Sequence, residues 1–160
     1  MTVSYMEVIR ARYEKLGYNA YRWFHADSEP AFNTPRKLLS ESRLGMLSTS
    51  GAYALGQTAY HYKDDASVRE IPSDTPASDL RFSHITENYL VDPRRDPDCI
   101  FPLSTLRGLA ERGIIKELAD TVLSCMGGVY SQRRVREELA PSVLDIFRRQ
   151  QIDCALLVAM

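Results

Sequence analysis

The apolar run RLGML leads into Ser48, Thr49, Ser50 and Gly51, so hydroxyls and backbone N–H groups gather where a strand turns into a loop. Such a turn holds an anion or a carbonyl oxygen if the strand is central and the next element is aimed at the site; otherwise it is an unstrained turn. A second small-residue turn, Gly127-Gly128, follows the apolar segment ADTVLSCM and permits positive φ or close approach of a ligand. Cys125 sits just before it, either as a surrogate thiol at the same sheet edge or as a packing cysteine, because no neighbouring charge in the sequence lowers its pKa. His84, near the end of DLRFSHI, either serves a substrate carboxylate as hydrogen-bond or proton donor, or ties the following loop. Arg94 and Arg95, flanked by Asp92 and Asp96, either clamp a carboxylate or form a solvated ion-pair network. The candidate catalytic residues are therefore His84 and Cys125, and the candidate substrate-binding residues are Thr49, Ser50, Gly51, Arg95, Gly127 and Gly128.

Other combinations are weaker. His25 with Asp27, and His61 with Asp64 and Asp65, lack a helical HxxxH or a cysteine pair, so no metal site is expected. Tyr18, Tyr21, Trp23 and Phe24 read as a hydrophobic anchor rather than a base-stacking platform. The sequence contains no GxGxxG, P-loop or GxSxG.

These residues need elements to position them. Ser4 and Glu7 have capping-box spacing, and Met6, Ile9, Tyr13 and Leu16 recur at helical intervals before Gly17, which predicts a first helix. An extended, aromatic and proline-bearing segment follows from Tyr18 to Leu39. Strands are expected at RLGML, near Val68 to Ile71, at DLRFSHI, at TVLSCM and from Cys154 to Met160. A helix capped by Ser104 or Thr105 runs toward Gly113, and Ser131 caps a last helical stretch that Pro141 kinks or splits. Strands separated by helices imply one α/β domain over residues 1–160, with three layers and helices on both faces of a mostly parallel sheet.

An apolar fraction of 44%, a charged fraction of 26% and a formal charge of -1 are ordinary for a globular protein and argue against nucleic acid as a partner. No apolar run reaches the ~18 residues of a membrane helix, and charges interrupt the first residues where a signal peptide needs an apolar stretch. No membrane association and a cytoplasmic location are the expectations. The three cysteines, Cys99, Cys125 and Cys154, form no CxxC pair, which fits a reducing compartment.

Several segments, in order, resemble one family: YMEVIRARYEKLGYNAYRW, FNTPRKLLSESRLGMLSTSG, REIPSDTPASDLRFSHI, DPRRDPDCIFPLSTLRGLAERGIIKELADTVLSCMGG and DCALLVAM. Together they look like the amino-terminal part of the selenoprotein B component of glycine, sarcosine, betaine and D-proline reductases. The resemblance implies a selenocysteine or cysteine just beyond the strand matching DCALLVAM, where a strand end near a helix N-terminus stabilises a thiolate or selenolate nucleophile. It also implies dithiol-dependent reductive C–N cleavage of a small amino acid or amine, aided by a pyruvoyl group on a partner subunit. This chain itself is expected to carry no cofactor.

Three explanations compete for an end at Met160: a deliberate fragment, a selenocysteine codon read as a stop, or a natural short subunit whose partner carries the nucleophile. On the reductase reading, a second subunit or a carboxyl-terminal half supplies the Cys or Sec. The alternative is a non-catalytic small-molecule-binding or scaffold subunit of a larger complex. A homo-oligomer is compatible with either.

Overall fold

The computed structural model describes residues 4–20, 25–31 and 33–160, so Tyr21, Trp23 and Phe24 of the expected aromatic anchor lie outside the described residues. The chain divides into two compact units, Met1–Thr34 and Pro35–Met160. The first contains helix α1 (Tyr5–Lys15), in which none of the residues is buried. Ser4 takes the N-cap position as expected, yet its side chain makes no cap hydrogen bond. The helix ends as the sequence predicts: Gly17 N–H donates to Glu14 O and Tyr18 N–H to Tyr13 O, which satisfies two of the last carbonyls.

In the second unit the elements in chain order are β1 (Arg43–Ser48), β2 (Ala52–Ala54), β3 (Arg69–Pro72), β4 (Leu80–Phe82), α2 (Leu103–Glu111), β5 (Glu117–Leu118), β6 (Thr121–Ser124), α3 (Gln132–Arg134), α4 (Ala140–Arg149) and β7 (Cys154–Val158). β1 is the hub of a five-stranded sheet. It pairs in parallel with β7 over Leu44–Ser48, and on its other side with β5 near its start and β6 near its end. β3 adds to β6 in antiparallel fashion, so the sheet is mixed and mostly parallel, in an α/β fold. The break between β5 and β6 is closed by a side chain, because Gln150 accepts from Thr121 N–H at 2.8 Å and donates to Thr121 O at 3.1 Å.

DLRFSHI does not join this sheet. Its strand β4 pairs with β2 in a separate two-stranded antiparallel ribbon, in register Ala52 with Phe82 and Ala54 with Leu80. The cause is local: Gly51 turns the chain immediately after β1, and the alternating run then finds its partner in the next three residues rather than across a helix.

Side chains alternate along a strand, and the apolar residues of β1 and β6 accordingly fall into two clusters. Leu44, Met46 and Val122 pack with Phe101 and with Leu103 and Leu106 of α2. Leu123, with Leu47 at its margin, packs with Leu139, Val143 and Ile146 of the last helical stretch. Met46, Ile71, Phe101 and Leu123 are fully buried, and each such side chain stabilises the fold by about 1.5–3 kcal/mol.

Two helix starts illustrate how the elements are set. α2 is capped by neither Ser104 nor Thr105, which lie inside its first turn. Asp98, a few residues upstream, accepts from the backbone N–H of Ser104 at 3.1 Å and of Thr105 at 3.0 Å, and from both hydroxyls. A carboxylate held outside the helix thus does what the sequence assigned to a hydroxyl within it. Ser131 does cap the last helical stretch, accepting from Arg134 N–H at 3.4 Å. Pro141 neither breaks nor ends that stretch. The turn before it, Val135–Leu139, opens to π-helical geometry, which accommodates a ring that has no N–H to give the preceding turn.

Burial opposes ionisation of Asp98, but the hydrogen bonds from Ser104 and Thr105 prevail and hold its carboxyl below the ordinary range. Its contribution is therefore complete above the unfolded value of about 4 and is lost as pH falls through the lower folded value. Asp98→Ala should cost about 1–2 kcal/mol at pH 7 by urea denaturation. The difference between wild type and variant should shrink as the pH is taken from about 5 to 2.

Candidate functional site

β1, β6 and β7 run parallel, so their carboxyl ends share one rim. Backbone bonds lock that rim together. Thr49 N–H donates to Val158 O at 3.0 Å, Cys125 N–H to Ser48 O at 2.9 Å and Gly51 N–H to Cys125 O at 2.9 Å. Met160 N–H donates to Thr49 Oγ1 at 2.9 Å. The segment after β7 is thereby fastened to the segment after β1 by a short side chain with an acceptor oxygen. A Cβ on Gly127 would stand 3.0 Å from Thr49 O and 3.5 Å from Met160 O, so the residue must be small for the two loops to meet.

The two-stranded ribbon arrives at the same place. Ser83 N–H donates to Gly51 O at 3.0 Å. Gly51 has φ +64°, and a Cβ there would lie 2.0 Å from Ser83 O, so both backbone conformation and space exclude a side chain. A Cβ on Gly128 would make ordinary contact with Ile85, next to His84, at 3.6 Å. Loops following β1, β4, β6 and β7 thus converge, bringing together Thr49, Ser50, Gly51, Gly127, Gly128 and the neighbours of His84.

Under the rim lies a layer of buried hydroxyls. Ser48, Ser50 and Ser124 are all inaccessible to solvent. Ser48 Oγ donates to Ile100 O at 2.8 Å and accepts from Ser50 N–H at 3.2 Å. Ser50 Oγ and Ser124 Oγ have no hydrogen-bond partner among the described residues. A buried unsatisfied hydroxyl costs about 1–3 kcal/mol, and apolar side chains of similar size would avoid that cost. Sequence reasoning missed Tyr60, which is buried beside this layer, donates to Ser124 O at 2.6 Å and carries the Arg69 guanidinium 4.2 Å above its ring. Burial raises its pKa, so the phenol stays protonated. No periodicity marks the segment AYHY, and only its aromatic content hinted at burial.

His84 is half-buried, and its ring lies 5.4 Å from that of Tyr89. Nδ1 lies 3.0 Å from Thr86 N and 3.3 Å from Thr86 O, which makes the histidine a tie for the loop after β4. Gly127 and Gly128 do not have positive φ; close packing, not backbone conformation, is what Gly127 provides.

The structure takes two candidate residues away from the rim's chemistry. Of its two readings, Cys125 follows the packing cysteine and not the catalytic one: it is buried in the cluster with Leu123, Leu139, Val143 and Ile146, and burial pushes its thiol up to about 11. That is the opposite of the shift a nucleophilic cysteine requires. Burial likewise raises Cys99, with help from Asp96 and Asp92, and Cys154, so none of the three is a thiolate at neutral pH. Arg95 does not face the rim; with Arg94 it lines a separate cavity beside the two-stranded ribbon. Asp64 and Asp65 are engaged by backbone N–H groups, of Tyr130 and Ser131 for the first and of His61 and Ser67 for the second. Among the described residues no group of three His, Cys, Asp or Glu is arranged to hold a metal ion.

The opposite, amino edge of the sheet is the charged one. Arg43 pairs with Asp120 at 2.8 Å and Glu117 at 3.4 Å, and Lys37 pairs with Asp153 at 2.7 Å. No described helix is long and apolar enough to cross a membrane.

Gly51→Ala should unfold the protein or destabilise it by more than about 3 kcal/mol in a denaturant titration, because a hard backbone clash adds to the cost of positive φ. Gly56→Ala, at φ +91° but with nothing within 4 Å, should cost only about 1–2 kcal/mol. In timed alkylation followed by mass spectrometry, exposed Cys99 should label first. Cys125 should stay unlabelled at pH 7, in keeping with a thiol near 11.

The D-proline reductase subunit gamma of Acetoanaerobium sticklandii is 28% identical to this chain over 130 residues, which is 81% of the chain and 53% of that protein. The chain therefore spans about half the length of this curated relative. No family model matches the sequence, and no solved structure matches it significantly. The similarity makes the chain a distant relative of the reductase subunit.

Proposed function

We propose that this chain is a component of a multi-subunit reductase akin to D-proline reductase. In this reading its carboxyl rim shapes the pocket for a small amino acid or amine, and the attacking thiol or selenol comes from residues outside the chain. The observation that carries the reading is the meeting of Thr49, Gly51, Gly127 and Met160 at one rim. It is supported by similarity to a reductase subunit over 81% of the chain. The cysteines support the external origin of the nucleophile, since each is held as a neutral thiol.

The chemistry follows the resemblance to the selenoprotein B family. Sulfur or selenium attacks carbon as the C–N bond breaks and the amine departs with the bonding pair and a proton; a second thiol then attacks that chalcogen, the two chalcogens join, and the carbon leaves with the C–S or C–Se pair and takes up the second thiol's proton. A dithiol restores the pair and is the reductant overall. The pyruvoyl group, by the same resemblance, belongs to a partner subunit and would activate the substrate amine, so no residue of this chain is assigned to hold it. This chain contributes shape and backbone polarity: Thr49 fixes the Met160 segment, and Gly127 lets the two segments pack closely at the rim. The exposed Ala155, Leu156 and Leu157 of β7 offer an apolar strand edge to the partner.

The alternative, a non-catalytic binding or scaffold subunit, draws on the absence of a thiolate among the three cysteines. Reconstitution separates the two. The chain alone should show no dithiol-dependent reduction of small α-amino acids, and co-expression with the products of neighbouring genes should give it. Gly127→Val, which drives a side chain toward Thr49 O, should lower kcat at least about tenfold in the assembled complex. Full activity of the variant complex, or no activity with every neighbouring product present, would count against the reading.

A further inference from the structure

We infer that the cavity beside the two-stranded ribbon is a binding site for a small oxyanion, carboxylate or phosphate, attached to a flat apolar body. The cavity measures about 500 Å³, within the range of small-molecule sites. Its walls include Tyr53, Arg81, Phe82, Pro93, Arg94 and Arg95. Among the described residues three guanidiniums and no carboxylate line it, in a chain whose 20 Lys and Arg stand against 21 Asp and Glu overall. Guanidiniums facing a concave, partly apolar setting, two of them with acidic partners outside its lining, favour an anion there.

The three arginines are not equivalent. Arg81 is anchored through one amino group, which donates to Ser78 O at 2.7 Å and Leu80 O at 2.8 Å. These bonds use one amino group and leave the Nε and the other amino group of the guanidinium for a ligand. That arrangement suits bidentate contact with a carboxylate or phosphate, because the ordering cost of the long side chain is already met by the main chain. Arg94 is engaged by Glu87. Among the described residues Arg95 pairs with Asp92 alone, at 4.0 Å and with both side chains largely exposed, a pair worth little in water. Arg81 and Arg95 are therefore the available cations. Buried Phe82 and Pro93 and half-buried Tyr53 supply a rigid wall for the apolar part.

None of Thr49, Ser50, Gly51, His84, Gly127 or Gly128 lines this cavity, so the inference stands apart from the proposed reductase role. The test is a calorimetric or NMR titration of the full chain with benzoate, phenyl phosphate and neutral benzamide. One or both anions should bind at least about tenfold tighter than benzamide, with an affinity that falls as salt rises. Tighter phenyl phosphate identifies a phosphate-bearing ligand, and tighter benzoate a carboxylate-bearing one. Arg81→Gln and Arg95→Gln should each weaken binding about fivefold or more, and Arg95→Gln, which loses only an exposed pair, should melt like the wild type. Equal binding of benzamide, no binding of any probe, or unchanged affinity in the well-folded Arg95→Gln variant would overturn the inference.

Discussion

The double-sided parallel pairing of β1 is the constraint on which the rest of the structure depends. With β7 on one flank and β5 and β6 on the other, β1 cannot slip without breaking two ladders, and its carboxyl end is fixed against two neighbouring strand ends. The rim inherits that rigidity. The bonds from Thr49 to Val158, from Gly51 to Cys125 and from Met160 to Thr49 Oγ1 continue the ladder past the last strand residues into the loops. A site built on strand ends in this way holds its geometry better than one built on free loops.

The two edges of the sheet differ in kind. The amino edge carries the ion pairs of Arg43 and Lys37. The carboxyl rim is made of glycines, hydroxyls and backbone, above a buried serine layer whose Ser50 and Ser124 hydroxyls are unsatisfied. The rim's small residues leave its loops free of bulky side chains, while the unsatisfied hydroxyls beneath it stay out of solvent's reach. The neutral, shielded state of Cys125 fits the same division, since burial keeps its thiol from acting at the rim.

What the sequence disclosed follows from range. β1, β6, β7 and the last helical stretch were legible because their apolar residues recur at the spacing of the element they form, and Ser131 caps where a local signal said it would. Gly51 and Gly127 stood out as small residues after strands, although the reason for each, the carbonyl of Ser83 and that of Thr49, is a tertiary contact that spacing does not carry. The same holds for the errors. Asp98 replaced the expected hydroxyl cap because a carboxylate upstream of the helix reaches both N–H groups, and β4 left the main sheet because β2 lay closer. Arg95 was offered as a substrate-binding residue by charge alone, whereas it lines a cavity beside the ribbon.

Amide hydrogen exchange on the reconstituted complex examines the rim most directly. If the reaction takes place there, adding the partner subunits should slow exchange in segments 49–51, 83–86 and 125–128 and leave the charged edge around Arg43, Glu117 and Asp153 unchanged. Protection at that charged edge with none at the three segments would contradict the assignment.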